Sequence, residues 1–200
     1  MYVQQVRLYH SKLLSGLPDS RVRILKSPVS SLRRPTEMMH LATNFGSSRI
    51  RMDKSNLNLT SVNPNVVKSA LLSDIVDTIV EEAEEKINIV MKLDIEGHEC
   101  RAILGSEETF MESANNDFYF IPMIVMEWRF GKEFKDVCRR IYLLRMARVL
   151  SFSGFLPFMI SKTFEPLDEN YADWPLMDMV WVQGNVSSAV MKKIKEETEK

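Results

Sequence analysis

The chain has 200 residues, 45% of them hydrophobic and 26% charged, the balance of one ordinary globular domain. Its 26 basic and 27 acidic residues leave a formal net charge of -1, which argues against a nucleic-acid partner; Arg33-Arg34, Arg139-Arg140 and Lys192-Lys193 are isolated pairs that read as solvated faces. No apolar run approaches the roughly 18 residues of a bilayer span, and the amino terminus is polar where a secretory leader is greasy, so the composition names no membrane segment and no compartment.

Val3, Val6, Tyr9 (or His10), Leu13 and Leu17 recur at helical spacing, and Gly16 and Pro18 stop the pattern, so the chain is predicted to open with an amphipathic helix. His10 on that helix has no second ligand at i+4 and reads as a boundary residue. Arg21 to Leu25 alternates as a short strand. Residues 26 to 65, with Pro28, Pro35, Gly46 and Pro64, read mostly as loop with one short strand around Arg49 to Met52. Leu72, Ile75, Val76, Ile79, Val80 and Ala83 then follow the i, i+3, i+4 rule and predict a helix with Ser73 as N-cap and Asp74 in the first turn. Glu81, Glu82, Glu84 and Glu85 point different ways from a helix and form its solvated end.

Ile87, Ile89, Val90, Met91 and Leu93 predict a strand over 87 to 94 buried on both faces. A helix over 99 to 113 and a strand over 120 to 127 complete a parallel strand-helix-strand unit. A further helix is predicted from Lys132 to Phe152, with Phe134, Val137, Cys138, Ile141, Leu144 and Leu150 inward and Gly154 as its stop. Phe155 to Ile160 and Met179 to Gln183 are two short strands; Pro166 and Pro175 between them break any helical period, which favours antiparallel pairing. In that connection Phe164, Tyr171 and Trp174 are either a lid over a substrate or core packing. The reading is one domain over 1–186 followed by a charged helical tail over 187–200. Cys100 and Cys138 lack C-x-x-C spacing, which gives neither a zinc site nor a disulfide framework, and each is expected as a buried free thiol. Asn58-Leu59-Thr60 and Asn185-Val186-Ser187 are glycosylation sequons that matter only in a protein of the secretory pathway.

The chemistry concentrates where the 87 to 94 strand ends, at Asp94, Glu96, Gly97, His98 and Glu99. Gly97 suits a tight strand-to-helix turn, and on an extended backbone Asp94, Glu96 and His98 lie two residues apart on one face. Polar groups converging at the lip of a buried sheet are costly to desolvate unless they bind something. The plainer alternative is that Asp94 caps the next helix while Glu96 and His98 are solvated. Glu127 ends the following strand, where Arg129, two positions on, offers an ion pair instead of a site role.

Lys92-Leu93-Asp94-Ile95-Glu96-Gly97-His98-Glu99, continued by Ala102-Ile103-Leu104-Gly105-Ser106, resembles the K-hydrophobe-D-hydrophobe-E-G-x-E...L-x-G signature of the FkbM family of S-adenosylmethionine-dependent methyltransferases. Leu71-Leu72-Ser73-Asp74-Ile75-Val76 and Ile121-Pro122-Met123-Ile124-Val125-Met126-Glu127 resemble the flanking family segments, and the match is specific over residues 66 to 130. The resemblance implies an α/β fold: a partial doubly wound, Rossmann-like methyltransferase sheet, mostly parallel with an antiparallel carboxyl-terminal strand pair. It implies methyl transfer from S-adenosylmethionine to a hydroxyl oxygen of a small molecule or glycan. Asp94 or Glu96 then suits the base or the acceptor-orienting group, His98 is the third candidate because its unperturbed pKa lies near neutrality, and Glu127 completes the pocket. Ser30 falls where adenine contacts occur, and Asp94 also counts among the cofactor contacts.

The family's glycine-rich turn (D-x-G-A-x-x-G) is missing, since none of the 7 glycines forms a G-x-G pair. The chain therefore corresponds to the carboxyl-terminal two-thirds of such a domain and is expected to bind S-adenosylmethionine weakly or not at all. Losing the central strands is also expected to leave the edge of the Asp94 strand unpaired and prone to self-association. Two other classes stay open. A non-catalytic pseudoenzyme or interaction module is favoured by the absent turn, and a divalent-metal hydrolase would use Asp94, Glu96, His98 and Glu127 as ligands.

Overall fold

The computed structural model describes residues 29–32, 35–40, 48–51, 66–95, 97–128, 138–161, 165–171, 173–175, 177–189 and 192. The predicted opening helix with His10, the strand at 21 to 25, Phe164, Arg129, Glu96 and most of the 187–200 tail lie outside them, although residues 184 to 189 are helical.

Three strands, β1 (Pro35–His40), β2 (Ser48–Arg51) and β3 (Val66–Lys68), form an antiparallel sheet in the order β2-β1-β3. β2 falls close to the strand predicted around Arg49 to Met52. β1 lies in what reads as loop, because a strand that opens on Pro35 and runs Thr-Glu-Met-Met-His has no period-2 alternation to announce it.

The chain continues with α1 (Leu72–Glu81). Leu72 and Val76 are buried, with Ile75 and Val80 packed beside them, as the i, i+3, i+4 pattern requires. Its N-cap is Leu71 and not Ser73: the Asp74 carboxylate accepts the Leu71 N–H (3.0 Å), while the Ser73 N–H is taken by Ser106 Oγ (2.9 Å). A serine whose own amide serves a distant hydroxyl sits inside the first turn, and the helix starts two residues earlier. The glutamates after it are exposed.

β4 (Ile87–Leu93) follows, then α2 (Glu99–Gly105), α3 (Glu107–Glu112) and β5 (Tyr119–Trp128). The single helix predicted over 99 to 113 is thus two short ones hinged at Ser106, whose hydroxyl is spent on α1. β4 is not buried on both faces: Met91 and Leu93 are, but Lys92 is exposed and Val90 is 60% exposed. Among the described residues β4 pairs with β5 alone, in parallel. The register shifts near Val90, where Asn88 faces Phe120 and Val90 faces Met123. Pro122 explains the irregularity, since it has no N–H to give the ladder, and the Ile121 N–H before it donates instead to Ser113 Oγ (2.7 Å).

α4 (Arg140–Phe152), β6 (Phe155–Met159), β7 (Glu165–Pro166) and β8 (Met177–Gln183) complete the chain order. The five-stranded sheet runs β4-β5-β8-β6-β7. β6 and β8 are antiparallel, as expected for the terminal pair, but so are β5 with β8 and β6 with β7. The described sheet is therefore mostly antiparallel, with β4–β5 as its parallel pair, which corrects the expectation of a mostly parallel sheet. The physical reason is the short return from β6 to β8, whose described residues include no helix to make a parallel crossover. α4 also departs from its predicted phase. Of the residues predicted inward, Cys138 and Leu150 are buried and Leu144 is half-buried, but Cys138 and Arg139 are outside the helix, Ile141 is 69% exposed, and Leu143, Met146 and Ala147 complete the buried stripe.

Cys100 and Cys138 are not free thiols but form a disulfide with a Cα–Cα separation of 6.0 Å, both half-cystines buried. The bridge ties the first turn of α2 to the approach to α4, elements 38 residues apart. Tyr171 and Trp174 take the core-packing alternative: Trp174 is buried and edge-on to Trp128 at 5.0 Å, and Tyr171 is edge-on to Trp174 at 5.2 Å.

Gly105 shows why the motif ends in glycine. A Cβ there would collide with Ser31 Cα, so the chain at 30–31 passes too close for any side chain. Gly105→Ala is expected to cost about 1–3 kcal/mol, the usual cost of overpacking. An unchanged urea midpoint would show that this approach is loose.

Candidate functional site

The site is built where β4 and β5 end. β4 stops at Leu93, the chain turns through Gly97 at φ 88°, and α2 starts at Glu99 with His98 as N-cap. A φ in the left-handed region is what Gly97 supplies at low cost. The turn has consequences for the predicted face. Alternation ends with the strand, so Asp94 and His98 separate instead of sharing a side. Asp94 remains exposed at the strand end, paired on the surface with Lys92 (Nζ–Oδ2 3.3 Å). That pair is solvated and contributes at most about 1 kcal/mol. His98 is 1% exposed, its imidazole inside the protein and not at the lip of the cleft. The helix-capping alternative for Asp94 also gives way, since the cap position belongs to His98.

A cleft of about 430 Å³ opens at the carboxyl ends of the parallel pair, and three carboxylates line it: Asp94, Glu127 and Asp178. Glu127, half-buried, sits one residue past the Leu93–Met126 pairing of β4 with β5, and β8 places Asp178 directly opposite it. Sequence and structure thus agree that Asp94 and Glu127 come together. Asp178 escapes the sequence reading because its strand is predicted to begin at Met179; the Met177-Asp178-Met179 alternation was the available signal. Among the described residues no group of three or more His, Cys, Asp or Glu side chains is placed to hold a metal ion. Ser30 is elsewhere: it is buried, its N–H donates to Ala70 O (2.9 Å), and its carbonyl lies against Gly105.

A larger depression of about 600 Å³ is formed by the end of α4 and residues 169 to 171, including Arg148, Phe152 and Tyr171. Arg148, Glu169, Asn170 and the Ser151–Tyr171 hydroxyl pair (2.7 Å) give it polar groups, but it contains no residue of the motif, and size alone does not make it the site.

Glu99 is the residue whose role the sequence hid. It is buried, and its Oε1 accepts the N–H groups of Ile95 (3.1 Å) and Gly97 (3.3 Å), clamping the turn that presents Asp94. Burial pushes its carboxyl above the ordinary glutamate range, backbone N–H groups pull it back, and the Glu127 charge adds an upward push. A carboxyl that holds its proton more tightly when folded contributes stability that is full below the ordinary range and is lost as pH rises through the raised value. Glu99→Gln keeps an acceptor oxygen for both N–H groups and has no proton to lose. Urea unfolding across acid to neutral pH is therefore expected to show a falling stability in the native chain that is flatter in the variant; equal slopes would mean that Glu99 is not the titrating group.

The chain matches no family model, no curated protein and no solved structure. No helix among the described residues is long and apolar enough to cross a membrane.

Proposed function

We propose that this chain is an FkbM-type methyltransferase-like domain whose carboxylate cleft receives the hydroxyl of a small molecule or glycan. The observation that supports the reading is that Asp94 and Glu127 line one cleft at the carboxyl ends of adjacent parallel strands, in the stretch that carries the family-like signature. In α/β sheets that end is where ligands bind. A carboxylate there orients an acceptor hydroxyl by accepting its hydrogen bond and takes the proton as the oxygen becomes a nucleophile. Glu99 holds the turn in place from behind. The β4–β5 unit and the antiparallel β6–β8 pair fit the carboxyl-terminal part of a doubly wound methyltransferase sheet.

The residues present do not fit the cofactor. The 7 glycines form no G-x-G turn for its methionine part, and Ser30, assigned to adenine, spends its N–H on Ala70 and is buried against Gly105. Addition of S-adenosylmethionine to this 200-residue chain is expected to leave the thermal midpoint unmoved, whereas binding at 100 times the dissociation constant would add about 2.7 kcal/mol. A shift of that size would show that the 200 residues hold the cofactor after all. The function itself is tested by labelled methyl transfer to hydroxylated acceptors in a longer chain that supplies a glycine-rich turn. Label on the acceptor supports the reading, and cofactor bound without transfer to any acceptor sinks it.

One observation favours a second reading, a non-catalytic interaction module. Among the described residues β4 is hydrogen-bonded on one side only, and Val90 on it is exposed. A strand with a free edge pairs readily with another chain, including a second copy of this one.

A further inference from the structure

Both cysteines of the chain are spent on one bridge, and that bridge is buried: Cys100 is 0% and Cys138 4% exposed. Such bridges persist in oxidising compartments and are kept open in reducing ones. An independent feature points the same way. Asn185-Val186-Ser187 is an acceptor sequon with no proline at its centre, and it sits directly after β8 on the surface. Asn185 is exposed, as are Gly184, Ser188 and Ala189 around it, whereas Ser187 turns inward and its hydroxyl donates to Gly184 O (3.0 Å). The sequon thus presents its amide outward, with open surface on both sides for a sugar.

We propose that Asn185 carries an N-linked glycan, added in the same oxidising compartment in which Cys100 and Cys138 are joined. In the transfer, Asn185 Nδ2 bonds to the anomeric carbon of a lipid-linked oligosaccharide; the carbon–oxygen bond to its pyrophosphate breaks, the pyrophosphate leaves with the bonding pair, and one amide proton goes to base. Bridge formation removes two electrons and two protons from the thiols, which pass to a protein disulfide oxidant. The proposal is independent of the methyltransferase reading, because it uses neither the cleft nor its carboxylates.

The test is a peptide map of the full protein recovered from eukaryotic cells that express it, digested with a peptide N-glycosidase in heavy-oxygen water. Asn185 is expected to be converted to heavy-labelled aspartate, with a gain in gel mobility, and Cys100 and Cys138 are expected in one cross-linked peptide. Asn185→Gln should abolish the labelled peptide and remove one glycan from the mobility shift, while Ser187→Thr should retain both. An unmodified Asn185, a full shift that persists in Asn185→Gln and so belongs to Asn58, or Cys100 and Cys138 recovered as alkylatable thiols would each overturn the proposal.

Discussion

Glu127→Gln and Asp94→Asn, each made in a chain that also supplies a glycine-rich cofactor turn, are expected to lower methyl transfer by about 10²- to 10⁴-fold, the contribution of one positioned acid or base. Both changes keep size and one acceptor oxygen while removing the charge and the ability to take a proton. Asp94 is exposed and its surface pair with Lys92 is weak, so its variant should fold as the native chain does. Glu127 is half-buried on β5, between β4 and β8 and opposite Asp178. Removing its charge also relieves the repulsion that Glu99 feels, so stability is not expected to fall. Single-turnover kinetics separates the chemistry from acceptor binding. Native rates in both variants would remove these carboxylates from the reaction and leave the cleft as a binding surface.

Opening the Cys100–Cys138 bridge is expected to cost about 4 kcal/mol, the chain-entropy value for a loop closed across the observed separation of 38 residues. That is a large share of the roughly 5–15 kcal/mol by which a domain of this kind is stable. The bridge joins α2 to the residues just before α4, and α2 and α4 also pack on each other, so its loss should loosen the helix that follows the Asp94 turn as well as the domain as a whole. Urea midpoints with and without reductant, and in a Cys100→Ala, Cys138→Ala double variant, measure the effect. A loss below about 1 kcal/mol in both comparisons would mean that the unfolded chain is not much constrained by the bridge.

The parts of the fold that were legible are those with strong local patterns. The apolar run into Leu93, Gly97 at the turn that follows it, and the stripe on α1 each declare themselves within a dozen residues. What stayed hidden depends on distant partners. Ser73 reads as a cap until Ser106 is seen to take its amide, and Cys100 and Cys138 read as thiols because nothing in a separation of 38 residues says that two helical ends meet. The inward face of α4 was mis-phased because its pattern was extended back from Phe134, whereas the helix begins at Arg140. In the site, Asp94 and Glu127 were legible as strand ends. Glu99 was hidden because a carboxylate that serves its own turn looks in sequence like one more acid, and His98 was misplaced because the extended geometry used for it ends at Leu93.

The chain's three tryptophans, Trp128, Trp174 and Trp181, are gathered in one spot, with ring centroids 5.0 Å and 5.9 Å apart along the cluster and Tyr171 against it. Indoles this close exchange excitation and share one apolar surrounding, so their emission behaves as a single reporter for the β5–β8 junction. Fluorescence will follow the collapse or opening of that junction and nothing else. The sheet made by β1, β2 and β3 contains no tryptophan, so it can detach and reattach in a separate local opening without altering the signal. A smooth fluorescence transition is thus weak evidence for all-or-none unfolding in this protein, and a backbone probe such as amide exchange is the one that will see both sheets.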